Sequence, residues 1–304
     1  MVSLRPKAAV AASLLAVAVV GAARGASAAE PVARIDLGGN GGIVVAARGS
    51  LWATDTVNRL VQIDPSRNAI AARIPAGFRP LGIAYGSRSL WVASSFSSAV
   101  IRIDPVRRKI VKRIPVGISP YDVAFGGGAV WASNETGGTV SRISPRKNRA
   151  VARIRVSAQP NGIASAFGSI WVACLRGNRL LRIDPARNRV TGRVVLPAVD
   201  WITASPDSLW ISSERGMIFR LDPKTLAVTA TIVVGANQLA SAWIGGELWV
   251  PNIDDDTVSI VDPATNTVRR TIQVGDGPIA VAGFAGDAWV THERDALWRL
   301  STTG

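Results

Sequence analysis

Short apolar segments separated by turn residues recur along the chain from residue 31 to residue 301. They are rich in Val, Ile and Trp, and Gly, Ser, Asn or Asp-Pro follows most of them, as expected for short strands. The clearest copy covers residues 82–93, 100–105 and 110–117. A sustained 3.6-residue periodicity is absent, so the pattern predicts an all-β chain and excludes a helical solenoid.

The segments are organised by a repeat of about 40 residues. Its marker is a tryptophan that recurs at spacings of 39, 40, 40, 39, 39 and 40 residues: Trp52, Trp91, Trp131, Trp171, Trp210, Trp249 and Trp289. Each unit holds four short strands, which is typical of propeller blades arranged radially around a channel. The sequence therefore predicts a single domain, a seven-bladed β-propeller over residues 30–304, with the tryptophans packed between blades.

The two ends of the repeat region predict how the ring closes. The seventh unit stops at residues 297–301 without an outer fourth strand. Residues 32–37 (Val-Ala-Arg-Ile-Asp-Leu) match residues 151–156 (Val-Ala-Arg-Ile-Arg-Val), which form the outer strand of another unit. We expect the N-terminal strand to complete the last blade, because this pairs two otherwise exposed sheet edges.

Residues 1–29 have the pattern of a secretion signal. Arg5 and Lys7 precede an apolar run over residues 8–20, and small residues follow at positions 26–29. The run is shorter than the roughly 20 residues of a spanning helix. The sequence predicts cleavage beside Ala29 and a monomeric protein that is secreted, periplasmic or part of the cell envelope. An uncleaved anchor is the alternative.

The charge of +14 is unevenly distributed. Residues 65–199 carry 22 basic and 4 acidic side chains, whereas residues 200–304 carry 7 and 13. The basic residues crowd the turns between third and fourth strands, on the face opposite the predicted channel mouth: Arg107, Arg108, Lys109, Arg146, Lys147 and Arg149. They predict contact with an extracellular polyanion; a solvated, charged rim is the alternative.

The loops that open onto the channel mouth hold the candidate binding residues. The third residue after each repeat tryptophan forms one row: Asp55, Ser94, Asn134, Cys174, Ser213, Asn252 and His292. The following residue adds Glu135, Glu214 and Glu293, and the segments leading into the inner strands add Arg79, Tyr121, Asp122, Asn161, Asp200, Trp201 and Asn237. The predicted ligand-binding residues are Asp55, Tyr121, Asn134, Glu135, Asn161, Asp200, Trp201, Glu214 and Asn252. Trp201 could stack on a ligand or plug the channel.

Two further features have structural interpretations. The Asp-Pro turns predict aspartates that bond nearby backbone amides: Asp64, Asp104, Asp184, Asp222 and Asp262. Cys174 is the single cysteine, so the chain forms no internal disulfide, and we expect a buried side chain. No nucleophile elbow, zinc motif, phosphate loop or dinucleotide fingerprint occurs.

The repeated phrase Leu-Trp-Val-Ala, Arg-Ile-Asp-Pro and Ile-Pro-Val-Gly resembles the YVTN-type β-propeller repeats and the related virginiamycin B (streptogramin) lyase-like proteins. The likeness covers residues 31–301. For the lyases it implies magnesium and histidine with acidic partners near the channel mouth, opening a cyclic depsipeptide by elimination. This chain has one histidine, His292, followed by Glu293, so it departs from a site with two histidines.

Two functions follow from the sequence. The first is an exported, noncatalytic binding or scaffold propeller of the cell envelope, with no cofactor predicted and an unknown protein or small molecule at the mouth. The alternative is a magnesium-dependent carbon–oxygen lyase or a hydrolase, in which His292 supplies a base and Glu293 a metal-binding carboxylate. Fold alone does not decide between them.

Overall fold

The computed structural model describes residues 27–28, 30–294 and 296–302, and most of the predicted signal sequence lies outside them. These residues form seven antiparallel sheets arranged as the blades of a propeller. The first two strands are β1 (Ser27–Ala28) and β2 (Ala33–Asp36). Blade 1 contains β3 (Gly41–Ala47), β4 (Ser50–Asp55), β5 (Arg59–Asp64) and β6 (Ala69–Pro75). Blade 2 contains β7 (Pro80–Gly86), β8 (Ser89–Ser94), β9 (Ala99–Asp104) and β10 (Lys109–Pro115).

The other blades follow the same order from the inner to the outer strand. Blade 3 contains β11 (Pro120–Gly126), β12 (Ala129–Asn134), β13 (Thr139–Ser144) and β14 (Arg149–Arg155). Blade 4 contains β15 (Pro160–Ala166), β16 (Ser169–Cys174), β17 (Arg179–Asp184) and β18 (Arg189–Val195). Blade 5 contains β19 (Val199–Ala204), β20 (Leu209–Ser213), β21 (Met217–Leu221) and β22 (Val228–Val233). Blade 6 contains β23 (Ala242–Ile244), β24 (Glu247–Asn252), β25 (Thr257–Asp262) and β26 (Thr267–Gln273). Blade 7 contains β27 (Pro278–Phe284), β28 (Asp287–His292) and β29 (Ala296–Ser301).

The ring closes as the sequence predicts. Strand β2 pairs antiparallel with β29, so the last blade takes its outer strand from the N-terminal part of the chain. The short strand β1 adds parallel to β26 at the outer edge of blade 6, which the sequence analysis did not anticipate. The helical structure among the described residues is two 3-10 turns, Ser95–Ser97 and Ile253–Asp255, and no helix there is long and apolar enough to cross a bilayer.

Burial explains why the strands differ in sequence. The second strand of each blade is enclosed on both faces, so segments such as Leu-Trp-Val-Ala are continuously apolar. The outer strand has one solvated face, and its exposed positions alternate with positions that are partly or fully buried, as in β14. The repeat tryptophans are at most 1% exposed and pack toward the following blade; Trp91, for example, shares a cluster with Val123 and Val130 of blade 3.

The Asp-Pro turns behave as predicted. In each, the Asp Oδ1 accepts backbone N–H groups two or three residues ahead, at 2.8 and 3.0 Å for Asp104 and at 2.7 and 3.1 Å for Asp222. In four blades the turn between the third and fourth strands contains an asparagine in the left-handed region: Asn68, Asn148, Asn188 and Asn266. Asparagine tolerates this conformation better than most side chains. In blade 3 this turn begins with Ser144-Pro145 instead of Asp-Pro.

Arginines on the third strands connect consecutive blades. Each lies over the repeat tryptophan of its own blade, with the guanidinium carbon 4.9–6.0 Å from the ring centroid: Arg102, Arg142, Arg182, Arg220 and Arg299. Each also donates to the turn of the next blade. Arg299 reaches Asn68 Oδ1 at 3.0 Å, from blade 7 to blade 1, and Arg220 reaches Asn266 Oδ1 at 2.9 Å. These side chains stabilise the ring and are not a free basic surface.

We expect Arg220→Met to lower the free energy of unfolding by about 1–3 kcal/mol, because hydrogen bonds made by charged groups contribute roughly that energy. Arg220 is 17% exposed and also donates to Pro263 O at 2.6 Å. Arg269→Met is the control, since Arg269 is 57% exposed and pairs only at the surface with Glu247. Urea denaturation of both variants checks the difference; equal losses would contradict the connecting role.

Candidate functional site

Two loops of every blade meet on one face of the ring, which carries the channel mouth. The residue after the second strand donates its backbone N–H to a carbonyl in the segment leading into the inner strand. The donors across the described blades are Thr56, Ser95, Glu135, Leu175, Glu214, Ile253 and Glu293, at 2.9–3.1 Å. The two loop sets used in the sequence analysis are therefore neighbours, as predicted.

The row at the end of the second strands lies on this face but is closed off from the channel. Asn134 Oδ1 accepts the Gly117 N–H at 3.1 Å, and its Nδ2 donates to Thr139 Oγ1 and Ser141 Oγ. Asn252 makes the equivalent bonds in blade 6, to Gly235, Thr257 and Ser259. Asp55 accepts three backbone N–H groups and pairs with Arg59. All three side chains are fully buried. They organise loops, and their predicted contact with a ligand remains a prediction.

His292 and Glu293 do not come together as a catalytic pair. His292 is 1% exposed, its ring lies 5.0 Å from that of Trp298, and neither ring nitrogen has a well-formed hydrogen bond within the described residues. Burial lowers the pKa of His292 to about 4, so the imidazole is neutral at pH 7. Glu293 is exposed beside Gly277.

The donor set that the lyase resemblance implies for magnesium does not fit this arrangement. No group of three or more His, Cys, Asp or Glu side chains is placed to hold a metal ion within the described ranges. Cys174 is buried, as predicted, and burial raises the pKa of its thiol to about 11. The catalytic roles of His292 and Glu293 remain sequence predictions.

The inner strands of blades 3, 4 and 5 carry a buried polar chain at the mouth. Asp122 accepts the Ile163 N–H of blade 4 at 3.0 Å, and Asn161 of blade 4 donates to Asp200 of blade 5 at 2.7 Å. Ser133 Oγ accepts the Asp122 N–H and donates to Asn161 O. Asn161 Oδ1 is buried without a partner in the described part of the chain. The predicted candidates Asn161 and Asp200 thus meet, with Asp122 beside them.

Two glycines make room for this group of buried polar side chains. A Cβ at Gly82 of blade 2 would overlap the Asp122 carboxylate, so a side chain there would displace it. A Cβ at Gly162 would lie 2.5 Å from Asp200 O. The absence of side chains at these two positions lets neighbouring inner strands approach closely enough to bury both aspartates.

Electrostatic coupling joins the buried groups to the rim of the mouth. Burial raises the pKa of Asp122 to about 7, and the Asp200 charge adds to this. Burial also raises the pKa of Asp200 to about 7, with contributions from Glu214 and Glu135. The pKa of partly buried Tyr121 is raised well above 10 by burial and by Asp200, Asp122 and Glu135. These groups therefore form one acidic site, negative above pH 7.

Part of the mouth is apolar. Trp201 is partly buried and packs against the core cluster that contains Ile43, Ile83 and Ala280. The inner segments of blades 6 and 7 hydrogen-bond directly, from Ala240 N to Ile279 O and from Val281 N to Ala240 O. Trp201 therefore fills part of the channel, which agrees with the plug interpretation.

Comparisons with solved structures agree with this architecture. Hydrazine synthase from Kuenenia stuttgartiensis superposes with a TM-score of 0.77 at 13% identity, covering 93% of this chain and 99% of the other. A streptogramin B lyase structure superposes with a TM-score of 0.76 at 15% identity, covering 87% and 93%. The chain has the streptogramin B lyase fold. The resemblance stated from the repeats is thus confirmed for the fold.

The likeness to streptogramin B lyase extends to architecture alone at this level of identity. No protein-family model matches the sequence, and no curated protein matches it. The site must therefore be interpreted from the side chains of this chain.

Proposed function

We propose that the protein is an exported, noncatalytic binding protein whose channel mouth holds a small organic cation. The observation that carries the proposal is the acidic group of blades 3–5: the buried Asp122 and Asp200, linked to blade 4 by hydrogen bonds and electrostatically coupled to Tyr121, Glu135 and Glu214. Carboxylates beside aromatic faces recognise ammonium groups through charge and cation–π attraction. The exported location rests on the N-terminal sequence pattern.

The unpartnered Asn161 Oδ1 supports a ligand that donates hydrogen bonds. A buried amide oxygen without a partner is unfavourable, and an ammonium or hydroxyl group would satisfy it. The apolar side formed by Trp201 would face the hydrocarbon part of such a ligand. Trp298 and the loop at Gly275 pack against the His292 ring, so the ring does not face the channel mouth as a free base. The support for the lyase alternative is therefore the sequence resemblance.

Titration calorimetry with two matched pairs tests the proposal. Choline is compared with its neutral isostere 3,3-dimethylbutan-1-ol, and ethanolamine with ethylene glycol, all at pH 8. We expect one or both cations to bind, binding to weaken at least 10-fold in Asp200→Asn, and affinity to fall as the pH is lowered through 7. Glu247→Gln, which removes a carboxylate paired with Arg269, is the control and should bind normally. Equal binding of cation and neutral isostere, or no binding of either cation, would overturn the proposal.

A further inference from the structure

Five arginines occupy one register position on the outer wall of consecutive blades. They lie on the outermost strands of blades 7, 1, 2, 3 and 4: Arg34, Arg73, Arg113, Arg153 and Arg193. Each pairs with the equivalent residue of the third strand: Trp298, Val61, Ile101, Ser141 and Leu181. Blades 5 and 6 have Thr231 and Thr271 at this position. The five, which we call the wall row, are all exposed.

The wall row differs from the other arginines of the protein in how its charge is used. No wall-row guanidinium lies within ion-pair distance of a carboxylate in the described residues, whereas turn residues such as Arg107 and Arg187 pair with their Asp-Pro aspartates. Nor does the wall row connect one blade's tryptophan to the next turn, as the third-strand arginines do. Its charges remain available to a partner.

Local contacts hold these side chains at the grooves between blades. Arg73 Nη2 donates to Leu37 O at 3.4 Å and Arg153 Nη2 to Val116 O at 3.5 Å, in each case just beyond the outer strand of the preceding blade. Arg34 lies 4.2 Å above the Trp298 ring. A guanidinium has five N–H donors, so one long bond to a carbonyl leaves most of them free.

The grooves contain clefts that could receive an anionic group. A cleft of about 400 Å³ is lined by Arg59, Arg73, Arg113 and Phe78, between blades 1 and 2. A second, of about 130 Å³, is lined by Arg155, Arg179 and Arg193, between blades 3 and 4. Each brings three guanidinium groups around one space, which suits phosphate or sulfate oxygens because arginine bonds them through two parallel N–H groups.

We propose that the wall row binds a flexible linear polyanion bearing phosphate or sulfate groups, which follows the outside of the ring from blade 7 to blade 4. A flat membrane touches a convex wall over only a small part of its circumference and would leave most of the row unused. Single-stranded nucleic acid is bound through successive aromatic side chains, but the lining of the first cleft has one, Phe78, and that of the second has none. The exposed positions two residues before the arginines are Ala71, Val111, Val151 and Thr191. A stiff duplex, with a persistence length of about 50 nm, resists so tight a curve.

The polyanion contact proposed here lies on the outer wall, whereas the sequence predicted it at the turns between the third and fourth strands. The structure allows a charge-matched test of the two positions: Arg73→Gln/Arg113→Gln/Arg153→Gln against Arg107→Gln/Arg108→Gln/Lys109→Gln. Both triple variants remove three positive charges from exposed residues. Thermal unfolding of each confirms that the ring is intact before binding is measured.

The probes are labelled long-chain polyphosphate and heparin, titrated at several salt concentrations. We expect the wall variant to weaken binding at least 10-fold and to reduce the slope of log K against log salt by about 2, since each contact contributes about 0.7. The turn variant should lose less than about 3-fold. Equal losses, or a larger loss in the turn variant, would overturn the wall site. Tighter binding of oligo-dT or of anionic vesicles than of either probe would assign the surface to nucleic acid or membrane instead.

Discussion

Leu37→Ala is expected to lower the free energy of unfolding by about 2–5 kcal/mol, the range for removing a fully buried leucine side chain. Leu37 directly follows β2 and is 0% exposed. Its loss opens a cavity at the seam where the N-terminal strand completes blade 7, and the same seam includes the bonds from Arg299 to Asn68 and from Thr291 Oγ1 to Gly42 O. The melting temperature should fall by about 2–4 °C for each kcal/mol.

Two variants separate the seam from ordinary core packing. Leu196→Ala removes a buried leucine at the matching place after the outer strand of blade 4, and Val32→Ala shortens a side chain that is 55% exposed. Leu196→Ala should destabilise to a similar extent, but only Leu37→Ala should speed proteolysis near the N-terminus, because it loosens the closing strand. Val32→Ala should leave stability unchanged. A loss below about 1 kcal/mol in Leu37→Ala would show that the ring does not depend on this strand.

The fold could be predicted because each blade repeats one packing requirement. A tryptophan enclosed between neighbouring blades must recur once per blade, so the period of Trp52 to Trp289 reveals both the unit and its number. The closing strand was visible for the same reason: residues 32–37 copy an outer strand that the last unit lacks. The strand β1 was not predicted, since a two-residue parallel addition has no sequence signature.

The site was less predictable because side chains alternate along a strand, so an error of one residue changes the face. The third residue after each tryptophan turns toward the loop from the preceding blade, as Asn134 does toward Gly117. The second residue instead reaches the following blade, as Ser133 and Thr54 do through carbonyl oxygens of its inner strand. A hydroxyl side chain occupies this second position in blades 1, 3, 5 and 7. This was the sequence feature that could have indicated the contacts between blades at the mouth.

Two further roles depended on contacts between blades. Asp122 occupies the position held by Gly82 and Gly162 in neighbouring blades, and this exchange of glycine for a carboxylate marked the acidic site. The third-strand arginines follow their tryptophans by 10 or 11 residues, as in Trp91 to Arg102, which places them opposite in a hairpin. Their second contact, to the turn of the next blade, required the angle between blades and could not be inferred from spacing.

Raising the pH from 5 to 8 is expected to destabilise the protein through its two buried aspartates. Their pKa is about 7 in the fold against 3.8 for an ordinary aspartate, chiefly because burial disfavours the charged form. Between these values the folded state holds protons that the unfolded chain has released. Stability therefore falls as the pH rises through this window and levels off above pH 7. Each group contributes up to about 4 kcal/mol, at about 1.4 kcal/mol per pKa unit.

His292 acts in the opposite direction. Its pKa is about 4 in the fold against 6.5 in the unfolded chain, so the unfolded state binds the extra proton between these values. Stability from this group is therefore gained as the pH rises from 4 to 6.5, by up to about 3 kcal/mol. Two aspartates outweigh one histidine, so the net effect over this range is a loss of stability. The net fall should be steepest between about pH 5.5 and 6.5 and should fade above pH 7.

Asp200→Asn isolates one of the two aspartates, because the amide is uncharged at every pH and still accepts the bond from Asn161. The variant should exceed the wild type by about 2 kcal/mol at pH 5 and by about 4 kcal/mol at pH 8, and so show a shallower loss of stability between them. Urea denaturation at half-unit pH steps measures this, with Asp276→Asn, at a carboxylate that is 70% exposed, as the control. A wild type that gains stability from pH 6.5 to 8, or an Asp200→Asn variant with the wild-type pH dependence, would mean that the Asp200 carboxyl is ionised in the fold. In that case the acidic site would be negative already at pH 5, and its affinity for a cation would not fall as the pH is lowered through 7.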